Sequence, residues 1–277
     1  MDIDVEVDRS TQQALFERVR RHTGIVMTDR KWALLHGRLR RRLQTLALAD
    51  YRDYLALLEG EAEEVGHFID LVTTNETTFF RTPRIWDYLK QSFLPEWAEK
   101  HRGSTLQVWS AAASSGEEGY SCAMLFEEFR LTHPLFRYRI LGTDISSQVL
   151  RDASAGVYQG RNLEGLRRSH PAMLERYMRM QGERGEMAPA ARASISFRQH
   201  NLFKPLLEPA RMDLVLLRNV LIYFDEAGQE AVLAQVRKAM APGGILIIGE
   251  SESLTRLNTG FEFMQPLVYR NRVTTHA

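Results

Sequence analysis

Two adjacent carboxylates, Glu117 and Glu118, follow a run of small residues, Ser110-Ala111-Ala112-Ala113-Ser114-Ser115-Gly116, that extends from the apolar pair Val108-Trp109. Small side chains at the end of a strand let a ligand approach the backbone, and in helix-covered sheets ligands bind beyond the carboxyl ends of the strands. A phosphate-binding turn leaves helix N-terminal amides free for an anion. Acids at that point suit a ligand carrying positive charge, although two carboxylates also favour a helix N-terminus through its dipole. Further along, Ile140-Leu141-Gly142-Thr143-Asp144 predicts a strand ending in an acid. An acid there can accept hydrogen bonds from both hydroxyls of a ribose, or simply cap the helix that follows. Arg218-Asn219, directly after the apolar run Asp213 to Leu217, is a third polar step at a strand end.

The loop holds one glycine, Gly116. The Gly-x-Gly-x-x-Gly turn that a dinucleotide pyrophosphate requires is missing, which excludes a nicotinamide dehydrogenase. S-adenosylmethionine carries an ammonium and a sulfonium and no pyrophosphate, and it fits. Cys122, among Ala123, Met124, Leu125 and Phe126, reads as core packing rather than a nucleophile.

The elements that must position these residues are legible from periodicity. Roughly the first 90 residues read as helices, with Trp32, Leu35, Leu39, Leu43 and Leu46 at helical spacing. From residue 105 short apolar runs alternate with helical patterns, the signature of a parallel sheet wound with helices. Strands are predicted at Leu106 to Trp109, Tyr138 to Gly142, Ile195 to Arg198, Asp213 to Leu217 and Ile245 to Gly249, with Pro242-Gly243-Gly244 as a stop and turn and a closing antiparallel pair within Phe261 to Asn271. The predicted class is α/β, a doubly wound, mostly parallel sheet. A small helical domain occupies 1–75, a linker 76–104, and the sheet domain 105–277, with an inserted β-subdomain at about 156–193.

The chain has 277 residues, 44% hydrophobic and 26% charged, enough apolar material for a real core. No apolar run approaches the ~20 residues of a membrane span, and the acidic start Met1 to Asp8 lacks the order of a signal peptide, so a cytoplasmic location without membrane insertion is expected. A net charge of +1 disfavours coating of nucleic acid. The cations crowded into residues 18 to 42 have Trp32 as their only aromatic companion, which argues against base stacking.

Four motifs in order, Thr74-Asn75-Glu76-Thr77-Thr78-Phe79-Phe80-Arg81, the Ala-Ala-Ala-Ser-Ser-Gly-Glu-Glu loop, Gly142-Thr143-Asp144 and Arg218-Asn219-Val220-Leu221-Ile222-Tyr223-Phe224, together resemble the CheR family of chemotaxis receptor glutamate methyltransferases. The resemblance spans nearly the whole chain. It implies methyl esterification of receptor glutamates for sensory adaptation, with S-adenosylmethionine as cofactor, S-adenosylhomocysteine as product and no metal. By resemblance, Asn75, Thr77 and Arg81 reach the cofactor from the linker, Glu117 binds its methionine end and Asp144 its ribose. Asn201 and Leu202 flank the adenine, Arg218 and Asn219 complete the pocket, and Arg81 and Tyr223 orient the substrate carboxylate. Arg38, Arg41 and Arg42 are expected to steer the glutamate-rich cytoplasmic helices of a chemoreceptor, and the protein to act as a monomer. Gly119 departs from the proline usual in the family, and Met180 to Ala193 looks short for docking a receptor's C-terminal pentapeptide, so independence from that tether is expected. The alternatives are a methyltransferase for another protein, a small molecule or a nucleic acid, and a non-catalytic cofactor-binding signalling module.

On this reading Arg81→Ala abolishes most methyl transfer, whereas Cys122→Ser leaves it near wild type. Steady-state rates of the two variants side by side check the pair, and an unimpaired Arg81→Ala enzyme would remove Arg81 from the site.

Overall fold

The computed structural model describes residues 7–208 and 210–272. Part of the acidic start on which the cytoplasmic expectation rests, residues 1–6, lies outside them. Helices α1 (Arg9–Thr23), α2 (Asp29–Leu46), α3 (Tyr51–Gly60) and α4 (Ala62–Val72) form an all-helical N-terminal layer. Asp8 caps α1 by accepting from the Thr11 amide at 2.8 Å, and Asp50 does the same for α3. The apolar stripe of α2 buries Leu35, Leu39 and Leu43, as its spacing demands.

Beyond it, α5 (Pro83–Tyr88) and α6 (Leu94–Lys100) flank a π-helical turn at Leu89–Phe93. The main domain then runs β1 (Thr105–Ser110), α7 (Glu117–Thr132), β2 (Arg137–Asp144), α8 (Ser147–Ala155), an insertion, β6 (Ile195–Gln199), β7 (Met212–Leu217), a 3₁₀ turn (Leu221–Tyr223), α12 (Glu226–Ala239), β8 (Met240–Ile248), β9 (Phe261–Gln265) and β10 (Val268–Asn271). The insertion holds β3 (Val157–Gln159), α9 (Gly160–Ser169), α10 (Pro171–Tyr177), β4 (Met178–Gln181), β5 (Arg184–Met187) and α11 (Pro189–Arg192).

The large sheet has the order β6-β2-β1-β7-β8-β10-β9 and the small one β3-β5-β4. β6, β2, β1, β7 and β8 run parallel, and β10 is antiparallel to both β8 and β9. Because the chain leaves β1 for β2 on one side and returns to β7 on the other, a crevice opens above β1 at the carboxyl end of the sheet. One detail differs from the sequence expectation. Pro242-Gly243-Gly244 lies inside β8 as a bulge, where the register slips between Met212 and Leu214. A residue without an N–H and a glycine at φ 77° are tolerated because the ladder is interrupted there.

The helical layer is keyed onto the sheet domain at Gly24. This residue ends α1 in the left-handed region (φ 75°), and a Cβ on it would fall 2.0 Å from the ring of Phe203, in the loop after β6. The Val26 amide also donates to the Tyr223 carbonyl at 2.9 Å.

Two of the three arginines expected to face a partner are tied into the fold instead. Arg42 donates twice to the buried Glu64 carboxylate, which also accepts from the Tyr54 hydroxyl at 2.7 Å. Arg38 donates to the carbonyls of Leu71 and Thr73, both at 2.8 Å, and satisfies the end of α4. The stripe that buries α2 turns these two inward, whereas Arg41 remains exposed.

Burial pushes the Glu64 carboxyl up, but the hydrogen bonds from Arg42 and Tyr54 outweigh it and hold the group below its ordinary value. A carboxylate depressed in the folded state stabilises above its unfolded pKa, and that contribution is lost as pH falls through the folded value. Glu64→Ala strands a cation and a phenol together and is expected to cost about 2 to 4 kcal/mol at neutral pH. Urea titrations of variant and wild type should therefore converge as the solution is acidified below the ordinary carboxylate range. A gap that persists unchanged into acid would show that the ion pair is not its source.

Candidate active site

The crevice above β1 is lined by loops that the sheet itself pins. The Ala111 amide donates to Leu216 O at 2.9 Å and that of Ala113 to Thr143 O at 2.8 Å, so the loop after β1 is stitched to both neighbouring strands. Ser114 then turns into the left-handed region (φ 50°). Its amide donates to Asp144 Oδ2 at 2.9 Å and its hydroxyl to Asn75 O at 2.7 Å. Asp144 Oδ1 accepts from the Ser146 amide at 3.0 Å. A carboxylate has about four acceptor sites, so beside its backbone donors Asp144 keeps capacity for a ligand hydroxyl.

At the floor lies a buried ion pair. Arg218 Nη1 donates to Glu118 Oε2 at 2.9 Å, with side-chain exposures of 2% and 10%. Glu118 Oε1 accepts from Ser110 Oγ at 2.7 Å, and Arg218 Nη2 donates to the Arg81 carbonyl at 2.8 Å. Arg218 Nε is buried and unpartnered. Burial pushes the Glu118 carboxyl up, against the pull of Arg218. Burial likewise raises Asp144, against the amides of Ser146 and Ser114. A cationic ligand beside them would favour their ionised forms.

The cleft holds about 870 Å³ of empty space, open solvent at its mouth included. Asn75, Thr77, Arg81, Asp144, Asn201, Leu202, Arg218, Asn219 and Tyr223 all line it, so nine residues singled out from motifs far apart in sequence meet at one place. Arg81 is exposed at the mouth. Asn201 is fixed from both ends, donating to His22 O at 3.2 Å and accepting from the Phe203 amide at 3.0 Å. Tyr223 is half-buried with Lys31 Nζ 5.1 Å from its ring centroid, and burial pushes its phenol up.

Glu117 does not line the cleft. It is buried on the other side of α7, where it accepts from Asn162 Nδ2 at 2.6 Å and Ser115 Oγ at 2.7 Å. Successive helical residues point about 100° apart, and here the rotation of α7 presents Glu118 to the cleft. The sequence reading also missed His200, Thr23 and Ile25, all on the cleft wall. Nothing local marks Thr23 and Ile25; they arrive with the Gly24 contact. Gly119 admits Ile195 of β6 against α7, because a Cβ there would sit 2.7 Å from Ile195 Cδ1.

Residues 12–73 match the family described as CheR methyltransferase, all-alpha domain, and residues 75–269 match CheR methyltransferase, SAM binding domain. The chain belongs to the CheR methyltransferase family. Among CheR relatives, the chemotaxis protein methyltransferase of Escherichia coli is 34% identical over 94% of this chain and 89% of its own. Chemotaxis protein methyltransferase 1 of Pseudomonas aeruginosa is 32% identical over 89% of this chain and 92% of its own. The corresponding Listeria monocytogenes protein is 38% identical over 74% of this chain and 75% of its own. S-adenosylmethionine, rather than a pyrophosphate-bearing nucleotide, is therefore the CheR cofactor here, in keeping with a cleft floored by carboxylates.

Removing one member of a buried ion pair leaves the other uncompensated, at a typical cost of about 3 to 5 kcal/mol. Arg218→Met should lower the unfolding free energy by that order in denaturant titrations, and Glu118→Gln, which keeps a hydrogen-bonding side chain, by less. Wild-type stability in Arg218→Met would mean that the pair holds nothing in place.

Proposed function

We propose that this CheR-family chain methylates glutamate side chains on the cytoplasmic helices of chemoreceptors, releasing S-adenosylhomocysteine and using no metal. The observation that carries the reading is the meeting in one cleft of Asp144, the Glu118–Arg218 pair, and Arg81 with Tyr223 at its mouth. The relatives named chemotaxis protein methyltransferases support the choice of substrate class.

Asp144 would hold the cofactor's ribose hydroxyls, Glu118 rather than Glu117 would face its methionine end, and Asn201 and Leu202 would flank its adenine. Asn75, Thr77 and Asn219 would close the remaining wall. When bound, the cofactor supplies a methyl group on a sulfonium, and transfer to a carboxylate oxygen breaks the carbon–sulfur bond and leaves a neutral thioether. A glutamate side chain, with an ordinary pKa of about 4.3, is already ionised at neutral pH, so no side chain has to remove a proton. What the protein contributes is alignment, which can lower a barrier by roughly 7 to 11 kcal/mol.

Arg81 offers a planar fork to the incoming carboxylate. The Tyr223 phenol, pushed up further by burial, can donate to the same group. The exposed cations Arg30 and Arg41, with Lys31 beside Tyr223, would steer acidic receptor helices toward the mouth. The chain would act as a monomer. The strands β4 and β5, of four residues each, fit an enzyme that works without a receptor tether.

Purified protein incubated with methyl-labelled S-adenosylmethionine and chemoreceptor-containing membranes should label the receptor, and mild alkali should release the label as methanol. Alkali-stable label on protein would mean N- or C-methylation and would sink the glutamyl ester.

A further inference from the structure

Behind the cleft wall, one carboxylate collects four backbone amides. Glu252, in the turn after β8, accepts from Val220 N and Leu221 N at 2.8 Å each through Oε1. Through Oε2 it accepts from Asn219 N at 3.0 Å and Gly249 N at 2.6 Å. It is 9% exposed and does not line the cleft. An ionised carboxylate has about four acceptor sites, and all are taken.

The segment it grips is strained. Asn219 sits in the left-handed region at φ 58°, and Val220 follows at φ −125°, ψ −34°. That succession turns consecutive N–H groups toward one point and makes a concave anion-binding nest. Here the chain's own glutamate fills it. Gly249 is held in the same knot, since a Cβ there would lie 2.8 Å from Asn219 N, Asn219 Nδ2 and Glu252 Oε2 alike. Asn219, Val220 and Tyr223 are all on the cleft wall, and the three-residue turn carrying Tyr223 begins at Leu221.

We propose that Glu252 is a positioning residue for methyl transfer: its carboxylate fixes the Asn219–Leu221 turn and thereby sets Asn219 and Tyr223 in the cleft. The inference rests on the reading that this cleft holds S-adenosylmethionine, and it does not depend on the identity of the methyl acceptor. A glutamine cannot replace Glu252, because its amide nitrogen would meet N–H donors. An aspartate keeps the charge but falls short by one methylene.

The test measures S-adenosylhomocysteine binding by calorimetry, and kcat at saturating cofactor, at a temperature where the variants are folded by near-ultraviolet circular dichroism. In Glu252→Gln the affinity should fall about tenfold and kcat roughly a hundredfold, with Glu252→Asp recovering part of both. Gly249→Ala disturbs the same knot with Glu252 intact and should give the same signature, and it serves as the test if Glu252→Gln does not fold. A folded Glu252→Gln or Gly249→Ala protein with wild-type affinity overturns the proposal. If wild type binds S-adenosylhomocysteine but esterifies no receptor glutamate, the acceptor assignment fails while the affinity measurement still reads Glu252.

Discussion

The contact between Arg218 and Glu118 ties three separate pieces of chain together at one buried point. Arg218 stands at the end of β7, Glu118 in the first turn of α7, and the Arg81 carbonyl in the segment leading from the N-terminal helices. Charges taken this far from water are tolerated only if their remaining donors and acceptors are also satisfied, and Ser110 and Arg81 supply most of that. The rotation of α7, the course of the linker and the end of β7 are thereby set together. The cleft is the space left between them.

Strain gathers around that space. Phe80, Thr82, Ser114 and Asn219 all have positive φ without being glycine, and each lies on or beside the cleft wall. Such residues persist only where their surroundings over-determine them. The surroundings are visible in each case where side chains act: Asp144 and Asn75 hold Ser114, Ser121 Oγ accepts from the Phe80 amide at 2.9 Å, and Glu252 holds Asn219. Asp144 and Asn75 act from the cleft wall itself, whereas Ser121 and Glu252 act from behind it.

That division explains what could be read from sequence. Strand–loop–helix grammar and the four motifs locate the crevice and most of its lining, because each motif sits at a strand end and strand ends share one edge of the sheet. Choosing between Glu117 and Glu118 requires knowing that Asn162 takes one and Arg218 the other, and both lie far along the chain. Arg38 and Arg42 look like surface cations until α4 is folded against them. Glu252 carries little local signal, since three of its four partners are backbone amides about thirty positions upstream that any residues could provide. What sequence reads well is periodic or contiguous, and what it misses are polar pairings closed by the tertiary fold.

The insertion between α8 and β6 touches the same loop from behind. The Tyr158 hydroxyl donates to Ser115 O at 2.7 Å, and Asn162 Nδ2 holds the Glu117 carboxylate that the cleft does not use. Phe79 packs edge-on against Tyr158, ring centroids 4.8 Å apart. The insertion consequently supports the cofactor loop through direct contacts from β3 and α9. A shortened chain that joined α8 directly to β6 would leave a buried carboxylate and a carbonyl facing a void, so the subdomain and the cofactor loop are constrained to change together.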